Sequence, residues 1–174
     1  LVNPTHGFGG ITGRVSLRAT THTYIDDVFV ENTPSVSKVK VHVDAVGVTT
    51  ALPLALEVRD RATGKVVWSK QDQMTGAEKE IDLSLPDAKW WSTDTPNLYD
   101  LTVRLGDDEV KKHFGFRWFE VRDVDGDRQF YLNGKRITLI TAISWSFWPD
   151  NGITPSKELA RKQVSDAKQL GMNM

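Results

Sequence analysis

Two tryptophans and a carboxylate stand close together in Trp145-Ser146-Phe147-Trp148-Pro149-Asp150. Indole faces stack on the apolar faces of sugar rings, and a carboxylate accepts hydrogen bonds from ring hydroxyls. Trp145, Trp148 and Asp150 are therefore the candidate substrate-binding residues, and the ligand they suit is a carbohydrate. The competing reading has both tryptophans sealing a junction between two packed units. Other constellations carry less. Asp123-Val124-Asp125-Gly126-Asp127 has the look of a calcium loop, but it lacks further ligands, a closing Glu at the twelfth position and flanking helices, so it reads as a hairpin turn. His6, His22, His42 and His113 are scattered without metal-ligand spacing, and there is no cysteine to supply a thiolate nucleophile, a disulfide or a zinc ligand. Asp26 and Asp27, adjacent in an extended segment, are expected to point to opposite faces and so do not form an acid/base pair. No Ser-His-Asp arrangement, phosphate-binding loop or dinucleotide glycine pattern is present. No metal site and no cofactor are expected.

The chain that must position these residues has 174 of them, 39% hydrophobic and 26% charged, with 22 basic against 23 acidic side chains. That balance excludes the broad basic face of non-specific nucleic-acid binding. No apolar run approaches the ~18–20 residues of a membrane span. Neither a nucleic acid nor a membrane is expected as a partner.

Most of the chain alternates with period 2. Val39, Val41 and Val43 alternate with Lys40 and His42; Leu54, Leu56 and Val58 alternate with Glu57 and Arg59. Val66 and Trp68, then Ile81, Leu83 and Leu85, then Tyr99 through Leu105, then Val110 to Phe116 continue the pattern, with Tyr24 to Val30 at the front. Seven short strands with turn signals between them predict an antiparallel β-sandwich of immunoglobulin type over residues 24–117. With no inter-sheet disulfide, Trp68 and Tyr99 are the expected large core fillers. Residues 1–23, with one strand predicted over Arg14 to Ala19, read as the tail of a preceding jelly-roll-like domain and a linker.

The grammar changes after residue 117. Asp125-Gly126 and Asn133-Gly134 are tight-turn pairs, so Phe130 to Leu132 is expected to form a hairpin with Ile137 to Ile140. A helix follows, with Thr154 as its expected cap, Pro155 in its first turn, and Gly171 just past its end. Ala160, Val164 and Ala167 share one face. Residues 118–174 thus read as a hairpin and the first strand–helix unit of an incomplete (β/α)8 barrel.

Several segments, in order, resemble glycoside hydrolase family 2. Gly13 to Leu17 and Ile25 to Val30 are similar to its crossing from jelly roll to sandwich. Trp91-Ser-Thr-Asp-Thr-Pro96-Asn-Leu98-Tyr99 resembles the stretch that leads into the last sandwich hairpin. Gly115-Phe116-Arg117 with Phe130-Tyr131-Leu132-Asn133-Gly134-Lys135 resembles the lead-in to the catalytic barrel, and Leu170-Gly171-Met172-Asn173 the end of its first helix. One departure stands out. Where better-known members run Gly-x-Asn-x-His ahead of a Pro, Thr141, Ile143 and Trp145 take those places ahead of Pro149.

The resemblance implies a piece of a retaining glycosidase of the β-galactosidase, β-glucuronidase and β-mannosidase group. Such enzymes use two glutamates held roughly 5–5.5 Å apart. Both are expected beyond Met174, so no catalytic residue is assigned within the chain and the chain alone is expected to be inactive. The implied partner is the carbohydrate substrate of the longer protein. The resemblance leaves the compartment open, leaning to periplasmic or secreted over cytoplasmic. The strand–helix unit at the C-terminus is expected to pack on the sandwich or on a second copy of the chain, giving a homodimer. A carbohydrate-binding or adhesion sandwich without enzymatic activity is the alternative.

Overall fold

The computed structural model describes residue 11 and residues 14–143 and 155–174. Seven strands build its main body: β1 (Tyr24–Asn32), β2 (Lys38–Val46), β3 (Leu52–Asp60), β4 (Val66–Met74), β5 (Glu78–Ser84), β6 (Tyr99–Leu105) and β7 (Asp108–Phe114). They form two antiparallel sheets, ordered β1-β2-β5 and β4-β3-β6-β7. A constant-type immunoglobulin domain instead places its fourth strand beside the fifth. Here β4 pairs with β3, giving a sandwich of three strands on four.

Alternation along the strands makes the core. Val39, Val41 and Val43 of β2 and Leu54, Leu56 and Val58 of β3 are buried, as are Ile81 and Leu83 of β5 and Leu101, Val103 and Leu105 of β6. Tyr99 is buried as expected, but Trp68 lies only partly buried at the flank. The large core fillers beside Tyr99 are Phe114 and Phe116, whose rings meet edge-on with centroids 5.2 Å apart, while Phe116 meets Tyr99 at 5.1 Å. The trio sits where the last sandwich strand leaves the sheet.

Two local expectations are corrected. Arg14 to Ala19 forms no strand; every residue there is exposed, Leu17 to 98%, and none pairs with a neighbouring strand. Alternation without a sheet edge to pair with does not order a backbone. Asp26 occupies a β-bulge, since the register of β1 on β2 shifts between Ile25 and Asp27. Both aspartates are consequently exposed, and Asp27 takes a hydrogen bond from Lys112 Nζ at 3.0 Å.

A third, small sheet follows: β8 (Phe119–Val124), β9 (Asp127–Leu132) and β10 (Lys135–Arg136). Asp125 and Gly126 join β8 to β9 with φ of 53° and 85°, and Asn133 and Gly134 join β9 to β10 with 52° and 78°. Both are the paired positive-φ turns that two-residue hairpins require. Asp123 contributes to the first turn by accepting from the Gly126 N–H at 2.9 Å, which accounts for its carboxylate structurally. The return strand is shorter than expected: its pairing ends with the Ile137 N–H donating to Phe130 O at 2.9 Å, and residues 138–140 face another partner, described below.

The helix α1 spans Lys157–Gln169 and is capped by Ser156, whose side chain accepts from the Leu159 N–H at 3.1 Å. The cap is thus Ser156, with Pro155 preceding the helix, and the expected cap Thr154 lies outside the described residues. The hydroxyl two positions later is the one that reaches a free N–H of the first turn. At the other end the Gly171 N–H donates to Lys168 O and the Met172 N–H to Ala167 O, both at 3.0 Å. Gly171 adopts φ 79°, completing a Schellman motif that stops the helix. No helix is long and apolar enough to cross a membrane among the described residues.

Candidate functional site

Trp145, Trp148 and Asp150, the residues singled out for sugar contact, lie outside the described residues. What is described on either side of them is the stretch 137–143, which forms no regular strand although one was expected there, the helix α1, and the corner of the sandwich.

That corner is assembled around Trp90 and Trp91. Trp91 donates its N–H to Phe116 O at 2.9 Å, and the Arg117 guanidinium lies over its ring at 4.3 Å. Gly115 is required beneath it, because a Cβ there would sit 2.8 Å from Trp91 Cβ. Asn133, at the tip of the β9–β10 turn, then joins the small sheet to the sandwich. Its Nδ2 donates to Trp91 O at 2.8 Å, its Oδ1 accepts from the Trp118 N–H at 3.0 Å, and its own N–H donates to Trp118 O at 2.9 Å. The positive φ of Asn133 turns its amide toward the corner, so one residue supplies both the turn and the weld. The adjacent tryptophans divide the work: Trp91 packs, whereas Trp90 keeps 46% of its surface exposed.

Asn173 plays a matching part after the helix. Its N–H donates to Ile140 O at 3.0 Å, its Oδ1 accepts from the Ile140 N–H at 2.9 Å, and its Nδ2 donates to Thr138 O at 2.9 Å. Three hydrogen bonds hold the chain beyond α1 alongside residues 138–140. Sequence inspection places Asn133 in a tight turn and Asn173 in a motif but gives neither side-chain amide a role, since what each amide meets is fixed only by the tertiary fold.

These anchors frame two clefts. One, of about 360 Å³, is lined by Trp90, the 92–95 turn with Asp94, and Asn133, Lys135 and Arg136 of the hairpin. The other, of about 710 Å³, lies between Trp91 and Pro96 on one side and Val164, Ala167 and Met172 on the other.

Each described carboxyl group with a displaced pKa is displaced downward: Asp27 by Lys112, Asp60 by Lys89, Glu80 by Lys40, Glu109 by Lys111 and Glu120 by Arg122, with Asp72 held lowest by the Gln73 N–H and Lys79. A general acid needs the opposite displacement. His42 faces outward and pairs with Glu31 at 2.8 Å; His113 pairs with Asp100 at 2.6 Å. No group of three or more metal-ligating side chains is gathered among the described residues.

Comparison with known proteins agrees with this architecture. The sequence profile described as "Glycosyl hydrolases family 2" matches residues 23–117. A protein of Formosa agariphila named as a candidate beta-glucuronidase is 32% identical over 95% of this chain, which spans 21% of that protein. The beta-galactosidase large subunit of Leuconostoc lactis is 29% identical over 76% of the chain, again matched across only 22% of its length. Among solved structures, the beta-glucuronidase of Bifidobacterium dentium superposes with a TM-score of 0.73 at 20% identity, covering 87% of this chain and 26% of that one. The chain therefore spans about a fifth to a quarter of the relatives it matches. These likenesses do not favour a free-standing adhesion or binding module.

Proposed function

The chain belongs to glycosyl hydrolases family 2, and from that membership we propose that it is the non-catalytic scaffold portion of a retaining glycosidase. In this reading the sandwich carries a (β/α)8 barrel whose first strand lies within residues 137–143 and whose first helix is α1. The two catalytic glutamates belong to later barrel strands, outside these residues. The supporting observation is the triple hydrogen bond of Asn173 to residues 138–140, made as the chain returns from α1. A helix whose following segment returns alongside the stretch that precedes it is consistent with the opening of a parallel βαβ unit, although residues 138–140 form no regular strand. Trp145, Trp148 and Asp150 then fall between strand and helix, at the end of the barrel where substrate is held. The replacement of a polar strand end by Thr141, Ile143 and Trp145 supports stacking on a sugar ring there.

The test is hydrolysis of a panel of aryl β-glycosides by the 174-residue chain and by a chain extended through a complete barrel. Turnover by the extended chain alone is expected, and the preferred glycoside identifies the activity. Turnover by the 174 residues alone, or by neither chain, overturns the proposal. The isolated chain is further proposed to pair with a second copy through its C-terminal strand–helix unit; light scattering that finds a clean monomer overturns that part.

A further inference from the structure

The cleft beside Trp90 has the makings of a ligand site of its own. Trp90, nearly half exposed, lines it, and Asp94, Lys135 and Arg136 stand exposed around its rim. None of these three charges takes part in an ion pair among the described residues, although cations and carboxylates elsewhere on the surface are widely paired. Its volume of about 360 Å³ falls at the small end of ligand pockets, which run from roughly 300 to 1,000 Å³.

The walls are fixed before any ligand arrives. Ser92 Oγ accepts from the Thr95 N–H at 3.0 Å, the Ser92 N–H donates to Thr95 O at 3.0 Å, and Asn97 Nδ2 donates to Trp90 O at 2.9 Å. On the facing side Asn133 clamps the hairpin that carries Lys135 and Arg136. A site built from locked elements loses little conformational freedom on binding.

We infer that this cleft binds a pyranose bearing an anionic group. The indole face of Trp90 meets the C–H face of the ring, the cations of Lys135 and Arg136 take the anion, and Asp94 accepts a ring hydroxyl. The anion is a carboxylate or a sulfate; both present oxygens in the geometry a guanidinium recognises.

The 174-residue chain is the material for the test, and binding is read without hydrolysis. Its outcome is therefore separate from the question of catalysis. Indole N–H signals in two-dimensional NMR, with Trp90 assigned through Trp90→Phe, are followed during titration with glucuronate, glucose 6-sulfate, glucose and acetate. A saturable shift of the Trp90 signal with glucuronate or glucose 6-sulfate, half-complete at about millimolar concentration, is expected. Whichever of the two binds tighter identifies the anion. Glucose should bind at least about fivefold more weakly, and the double variant Lys135→Ala/Arg136→Ala should reduce the charged sugar to the same level, with added salt doing likewise. The double variant changes only exposed side chains, so its fold, checked by far-UV circular dichroism, is expected to be unchanged. Acetate reproducing the full shift, or charged sugars leaving Trp90 unmoved at tens of millimolar, overturns the inference.

Discussion

The phenol oxygen of Tyr99 accepts a hydrogen bond from the backbone N–H of Lys89 at 2.8 Å, across the corner between the sandwich sheets. The Lys89 ammonium continues the chain of contacts to Asp60, 3.1 Å away, and Asp60 in turn accepts from the N–H groups of Ala62 and Thr63. This is a tyrosine corner at the first residue of β6, and it ties three separate segments together.

Replacing Tyr99 by Phe keeps the packing and strands the Lys89 N–H. The expected cost is about 1–2 kcal/mol of unfolding free energy, read as a lower urea midpoint with an unchanged slope. Burial raises the Tyr99 pKa, so the protonated phenol favours folding. That contribution is complete below the unfolded value near ~10 and fades as pH rises through the folded one. Wild type should therefore lose stability above that range more steeply than Tyr99→Phe.

Asp72 predicts an acid limb. Its pKa is lowered to about 2, first by the Gln73 N–H and then by Lys79 Nζ at 2.9 Å. Asp72 lies on β4 and Lys79 on β5, so the pair joins the two sheets. A depressed carboxyl stabilises the fold above its unfolded value and stops doing so as pH falls through the folded one. Asp72→Asn should cost on the order of 1 kcal/mol at neutral pH after allowing for screening, and should flatten the loss of stability between about pH 4 and 2. Chemical denaturation across that range checks it.

Asn133→Gly separates conformation from hydrogen bonding, because glycine keeps the positive φ while losing the amide. The hairpin should stay formed but come loose from the sandwich. Amide exchange at Trp118, whose N–H bonds the Asn133 side chain, should speed up by about tenfold or more, corresponding to the loss of about 1–2 kcal/mol. Unchanged protection there would mean that packing at Trp91 and Arg117 suffices.

Asn173→Ala removes two of the three hydrogen bonds that hold residues 138–140. Exchange at the Ile140 N–H, which donates to the Asn173 side chain, should accelerate severalfold, while amides of β2, β3 and β6 keep their protection. Spread of the effect into those strands would contradict a local role.

How much of this was legible beforehand varies by element. The valines of β2 and the leucines of β3 and β6 announce themselves because a buried face imposes period 2. β4 does not announce its sheet: of its residues only Met74 is buried, so nothing in its pattern distinguishes a partner in one sheet from a partner in the other. Val15 and Leu17 show the converse, an alternation that finds no edge to pair with. The two asparagine clamps escape sequence reasoning for a different reason. An amide side chain mimics a peptide group, and its worth depends on which peptides the fold brings alongside. The tryptophan and aspartate set at 145–150 lies outside the described residues.

The seam between β1 and β7 has a mechanical consequence. Near the start of both strands the Ile25 N–H donates to Asp108; midway Lys112 meets Asp27; at the far end the Asn32 side-chain amide donates to Gly115 O and Arg117 O. The first and last strands of the sandwich thus run side by side in the same direction, and the chain enters at one end of the body and leaves at the other. Tension applied between the segments before β1 and after β7 loads these cross-links together in shear, where a hairpin pulled at its open end would give them up one by one. The sandwich should behave as a stiff strut, transmitting displacement between the segments before β1 and after β7 instead of absorbing it.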